Sequence, residues 1–138
     1  MDYVAIQATL EDHLDVVLGV LGLDVNKENS DFTPTTGQAY ASPVFLPAQP
    51  TPAALGATAD NRCHGIFQVT VTSRKGEGRG PALAAGTSIA NHFRRGLELI
   101  TSDSKKVTIT SSGTLPAMPS DSSYSVPVDI HWTSDQPN

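Results

Sequence analysis

Between Tyr3 and Leu21 the apolar residues Ile6, Leu10, Leu14, Val17, Leu18 and Leu21 recur at steps of three and four, with Glu11, Asp12 and Asp15 set between them. That spacing gathers the apolar side chains on one stripe of a helix and predicts an amphipathic helix over this stretch. Gly22 is placed to end it, because glycine accepts the left-handed conformation that closes many helices. Residues 24–38 then read as a polar connection with a short strand near Phe32. Tyr40, Val44 and Leu46 alternate in part, and Pro43 among them predicts a strand at the edge of a sheet or at a bulge, since proline cannot donate to a ladder. Residues 47–62 contain prolines, threonines and alanines with no usable period and no large apolar side chain except Leu55. They read as a long mobile loop, a kind of segment that is usually functional or ordered only by a partner.

The strictest alternation follows. Cys63, Gly65, Phe67, Val69 and Val71 fall on one face and Ile66, Gln68, Thr70 and Thr72 on the other, the period-two signature of a strand. The run from Gly76 to Pro81 breaks it, and Pro81 suits the first turn of a second helix, where its missing N–H costs nothing. Ala82, Ala85, Ile89, Ala90, Phe93 and Leu97 would form the buried stripe of that helix, with small residues allowing close approach to a sheet and an end expected near Gly96. Val107 and Ile109 alternate with polar neighbours in a short strand. Tyr124, Val126, Val128, Ile130 and Trp132 alternate in a last one, and these two strands are expected to pair antiparallel. The resulting fold class is α/β in the α+β sense: a mixed, largely antiparallel sheet packed against two main helices, in the order α-β-β-α-β-β.

A length of 138 residues makes one domain the expected organisation. The one cysteine, Cys63, excludes an internal disulfide, and the amino terminus lacks the basic-then-apolar layout of a secretory signal. Assembly in a reducing cytoplasm fits this. The strongest apolar stretch, Val16 to Leu23, is far shorter than the roughly 20 residues that cross a bilayer, so no contact with a membrane is expected. The net charge of −5 is unevenly spread: seven acids stand against Lys27 in the first 31 residues, while Arg62 to Lys106 holds eight bases against Glu77, Glu98 and Asp103. Complementary patches of this kind set approach and register between copies or with a partner. Glu11, Asp12 and Asp15 on the first helix, with Arg74, Lys75, Arg79, Arg94 and Arg95 around the second, are therefore the candidate interface residues, toward another subunit or a partner; their plainer role is solvation, with Arg94 and Arg95 also favoured at a helix carboxyl end.

No catalytic, cofactor or metal signature emerges. The glycine run at 76–80 lacks the Gly-Lys-Ser/Thr of a phosphate loop, and Glu77 would repel phosphate. Cys63 and His64 are adjacent on a strand and point to opposite faces, so they make a poor metal set with His92 and His131. Cys63 shares its face with Phe67 and Val69, which suits a small buried residue. A nucleic-acid-contacting module would explain the basic middle, but the overall charge is negative and no aromatics interleave the bases. A small nucleotide-dependent enzyme is the weaker alternative.

The order of these phrases resembles the tail terminator family of long-tailed phages, the lambda-type neck proteins. The resemblance is carried by the acidic first helix, an aromatic-containing strand ending in Leu46-Pro47, the stretch Gly65 to Val71, the Gly76-Glu77-Gly78 turn, Ile89 to Phe93, and Val126-Pro127-Val128-Asp129-Ile130-His131-Trp132. The loop at 47–62 departs from it. The resemblance implies a virion structural protein of the tail neck, assembled in the host bacterial cytoplasm, without enzymatic activity or cofactor. It implies a homo-hexameric ring that caps the tail tube, stops its polymerisation and presents a surface to the head-tail connector or head-completion protein, with DNA passing through the lumen without sequence-specific binding. Another tail structural role, as a completion or tube protein, is the nearest alternative.

Overall fold

The fold was described from a computed structural model covering residues 3–28, 39–52, 55–56, 60–74, 80–119 and 123–136. The first helix, α1 (Tyr3–Leu21), buries Ala5, Ile6, Leu10, Leu14, Val17 and Leu18, as the three- and four-residue spacing predicts; Leu21 is only half-buried. It closes on Gly22, whose φ is 72°, and the Leu23 N–H donates to the Leu18 carbonyl at 3.1 Å. Glycine adopts this conformation without a Cβ penalty, and the returning bond satisfies a carbonyl that the helix end leaves open.

Among the described residues eight strands and a second helix follow: β1 (Asp24–Val25), β2 (Tyr40–Pro47), β3 (Thr51–Pro52), β4 (Asn61–Arg74), α2 (Gly80–His92), β5 (Glu98–Ile100), β6 (Lys106–Thr114), β7 (Met118–Pro119) and β8 (Ser123–Gln136). One sheet runs β1-β2-β4-β8-β6-β5, with β3 added to β4 and β7 to β8. Among the described residues only β1 and β2 pair in parallel. The class is thus α+β with a mixed, largely antiparallel sheet and two helices. To the expected order the structure adds four strands of two or three residues, β1, β3, β5 and β7, too short to show a period. The stretch near Phe32 lies outside the described residues.

β4 and β8 form the spine, paired from Asn61↔Gln136 to Arg74↔Ser123. Because side chains alternate, one register puts a whole apolar set on one face. Cys63, Phe67, Val69 and Val71 there meet Val126, Val128, Ile130 and Trp132, all buried. β6 joins β8 antiparallel, with a bulge between Ile109 and Ser111. Pro127 sits in this central strand without breaking it. Pairing to β6 ends at Val128 and pairing to β7 starts at Ser125, so proline occupies the gap where that side asks for no N–H donor. Its carbonyl accepts the Leu115 N–H at 2.8 Å.

β2 shows a similar accommodation. β1 covers its outer side only at Tyr40 and Ala41, leaving Pro43 on a stretch that behaves as an edge. The buried face of this strand is the one opposite to Tyr40, Val44 and Leu46. Ala41 and Pro43 are buried and Leu46 is exposed, because the register aligns Phe45 with Phe67 on the core face. Phe45 then stacks on Trp132 with ring centroids 5.4 Å apart.

α2 buries Ala82, Gly86 and Ile89 against the sheet. A Cβ on Gly86 would lie 3.3 Å from methyls of both Val126 and Val128, so this glycine sets how closely helix and strands approach. The helix ends at His92, earlier than the expected end near Gly96, although Phe93 still donates to the Ile89 carbonyl. The Gly96 φ of 87° turns the chain back into the sheet. α1 touches both outer strands, β1 and β5, so it fills the opening of the curled sheet. No described helix is long and apolar enough to cross a membrane.

Candidate assembly surfaces

The acids of α1 are set on the helix flanks by the burial of its apolar stripe. Asp15 pairs with Lys27 at 3.1 Å, both about 40% exposed. Glu11 lies half-buried beside them, and burial pushes its carboxyl above the ordinary glutamate range, with the Lys27 charge acting in the opposite sense. The Lys27 ammonium is held above its usual range chiefly by the hydrogen bond to Asp15. Glu28 accepts the Phe45 N–H at 2.6 Å, which ties the connection after β1 to β2. Asp12 stays exposed.

On the basic side, Arg94 and Arg95 lie beyond the end of α2, in the turn before Gly96, and both are exposed. Among the described residues the ion pairs are Lys27–Asp15, Arg62–Asp135 and Lys106–Glu98; neither arginine takes part. Of Arg74 only the backbone is described, at the end of β4, and Lys75 and Arg79 lie outside the described residues, as do residues 76–79 of the glycine turn.

α1 and the end of α2 meet at a seam that the charge pattern did not reveal. His13 Nε2 hydrogen-bonds the His92 carbonyl at 2.9 Å, and its ring stands edge-on to Phe93, centroids 4.7 Å apart. Phe93 immediately precedes the arginine pair, so α1 and the end of α2 are fastened beside it. His13 falls on a helical position between core residues, and only tertiary contact distinguishes it from an ordinary flank residue.

Cys63 is wholly buried, and burial raises its thiol above the ordinary cysteine range. His64, next to it, belongs to the other face of β4, where Gln68 donates to Asp129 at 2.9 Å and Thr72 meets Ser125 at 3.3 Å. That face carries polar cross-strand pairs. Among the described residues no three His, Cys, Asp or Glu side chains are grouped to hold a metal.

Two further surface features are apolar. Val4, Val16 and Val20 are exposed on the outer side of α1, Val16 to 67%. Val16 also lines a groove of about 470 Å³ between α1 and β5, where Thr9, Asp12, His13 and Ser102 stand beside Ala8 and Ile100. Between β3 and β4, Leu55 is fully exposed. β3 itself pairs with the first residues of β4, Thr51 with Arg62 and Pro52 with Asn61.

The family model described as phage tail terminator protein matches residues 5–132. The chain belongs to the phage tail terminator family. It is thus a virion tail protein, in a family of structural components. Two solved structures share the terminator fold along nearly its whole length. One, which carries no descriptive name, superposes with a TM-score of 0.79 at 23% identity, covering 97% of this chain and 96% of that chain. The other comes from the virion of a native gene transfer agent particle, with a TM-score of 0.59 at 18% identity and the same coverage of 97% and 96%. No functionally curated protein matches this terminator sequence.

Proposed function

We propose that this tail terminator closes head-to-tail into a homo-hexameric ring, caps the end of the tail tube, stops tube polymerisation and offers its free face to the head-tail connector or head-completion protein. The observation that carries the reading is the family match over residues 5–132. A structural relative within a gene transfer agent virion is in keeping with it. A ring requires two different patches on each subunit, joined by a rotation that closes. The acidic flank of α1, with Glu11, Asp12 and Asp15, and the basic residues Arg74, Lys75, Arg79, Arg94 and Arg95 supply such a pair. Exposed Arg94 and Arg95 make no ion pair among the described residues, which leaves both free to meet a neighbouring subunit or the tube. DNA passes through the lumen without sequence-specific contact, and the work of the protein is mechanical.

The test is charge reversal of Arg94 and Arg95 to glutamate, followed by electron microscopy of rings and of tails assembled with the tube protein. Loss of rings or overlong tails is expected. Unchanged ring size and tail length would remove the arginine pair from the interface.

A further inference from the structure

The geometry points to His13 as a positioning residue for the arginine turn: from α1 it caps the carboxyl end of α2 and so fixes where Arg94 and Arg95 project. This rests on the ring reading above, in which that pair meets a neighbouring subunit or the tube. The last carbonyls of a helix have no partner within it, and histidine side chains are among the groups that can satisfy them. At the end of α2 two rings take this part. His92 Nδ1 meets the Ser88 carbonyl, one turn back in its own helix, at 2.7 Å. His13 Nε2 meets the His92 carbonyl at 2.9 Å, from 79 residues away in sequence. A carbonyl only accepts, so the facing nitrogen of each ring carries the proton.

The cap stands at one end of a turn that is also held at the other. Phe93, next to the capped carbonyl, is wholly buried, and its N–H donates to the Ile89 carbonyl at 3.1 Å. Its ring lies against those of Phe67 and His13, with centroids 6.1 and 4.7 Å away. After the arginines, the Gly96 N–H donates to the Ile109 carbonyl of β6 at 2.8 Å, and the Leu97 N–H to the Arg94 carbonyl at 3.0 Å. Arg94 and Arg95 are exposed, so the fold fixes their backbone and leaves their side chains in water. Ordering already done in the folded subunit need not be repeated on binding. A ring makes a second demand, since its contact closes only if the two patches of each subunit keep one relative angle. His13 sits on the helix that carries Glu11, Asp12 and Asp15, and its bond ties that helix to the basic turn.

The experiment uses the full chain, alone and with preformed tail tubes. His13→Phe keeps an aromatic ring beside Phe93 and removes the donor, whereas His13→Gln keeps an N–H donor. Circular dichroism of both should match the wild type. In H13F the Phe93 and Leu97 amides should exchange with solvent about 2- to 10-fold faster, and subunit association should weaken by about the same factor, the scale of one hydrogen bond. H13Q should regain most of both. Combined with Arg94→Ala and Arg95→Ala, H13F should weaken association by less than the product of the separate losses, because all act on one contact. A residue that only stabilises the fold would lower the thermal midpoint and leave that coupling at zero. Should H13F fail to fold, His13→Ala, a truncation of this half-buried ring, takes its place with the same readouts.

H13F subunits that associate like the wild type, or losses that multiply in full, would overturn the inference and leave the ring reading standing. An R94A/R95A chain that forms rings normally removes the arginine pair from the interface, and the inference falls while the ring remains. A wild type that stays monomeric with and without tubes ends the ring reading itself and this inference with it.

Discussion

α1 carries two sets of apolar side chains with opposite fates. Ile6, Leu10, Leu14, Val17 and Leu18 are sealed against the sheet, while Val4, Val16 and Val20 on the other side stand in water. The same residue type, valine, is fully buried at position 17 and two-thirds exposed at position 16. Helix propensity cannot separate the two sets. The inner one is sealed by the subunit's own sheet; of the outer valines, Val16 lines the half-polar groove against β5. The comparison teaches that burial in this terminator follows contact with the sheet and not residue type.

Substitutions should split along that line. Leu10→Ala, in the inner stripe, should cost about 2–5 kcal/mol through lost burial and a residual cavity, read as a large fall in thermal midpoint. A stable L10A subunit would break the comparison. Gly86→Val comes next. Its methyls would press on Val126 and Val128, already 3.3 Å from the nearest added atom, and overpacking of this kind costs about 1–3 kcal/mol. Denaturant unfolding would measure it, and an unchanged midpoint would show that α2 can lift from the sheet freely. Gly65 is tighter still, since a Cβ there would meet the Leu46 carbonyl oxygen at 2.5 Å. In contrast, Val16→Ser, at an exposed position, should change stability by no more than about 0.5 kcal/mol, and a denaturant midpoint shifted as far as that of L10A would break the comparison.

The smallest effect concerns Glu11. Burial raises its folded carboxyl above the unfolded value of 4.5, so the stability associated with the held proton is present below that unfolded value and is lost as pH rises through the raised folded one. Glu11→Gln should therefore stabilise the subunit near neutral pH, by less than about 1 kcal/mol at this half-exposed site, and lose its advantage near pH 3. Lys27 runs the same way, at higher pH. The Asp15 bond raises its folded value, so its contribution is complete below the unfolded lysine value and disappears as pH climbs through the raised one. An E11Q stability profile parallel to the wild type at every pH would contradict this account of the acidic flank.

The inner stripe, the two faces of β4 and β8, and the glycine end of α1 were legible because each is a local period or a single conformational demand. β1, β3, β5 and β7 were not, since strands of two or three residues carry no period and exist only through the neighbours they pair with. β2 was legible as a strand, but its buried face was not. Phe45 is drawn inward by the register with β4 and its stack on Trp132, overriding the more obvious set of Tyr40, Val44 and Leu46. Of the candidate assembly residues, the charges were visible in the sequence. The seam at His13 and Phe93, and the groove at Ile100, were not, because they join segments roughly 80 residues or more apart that only the fold brings together.

The most direct test of the assembly claim is the native mass of the purified protein, alone and with its tail tube protein, with the complexes imaged by electron microscopy. The account predicts a closed hexamer of the 14.5 kDa chain seated at the ends of tubes that stop growing. A strict monomer under both conditions, with tubes that lengthen unchecked, would contradict it.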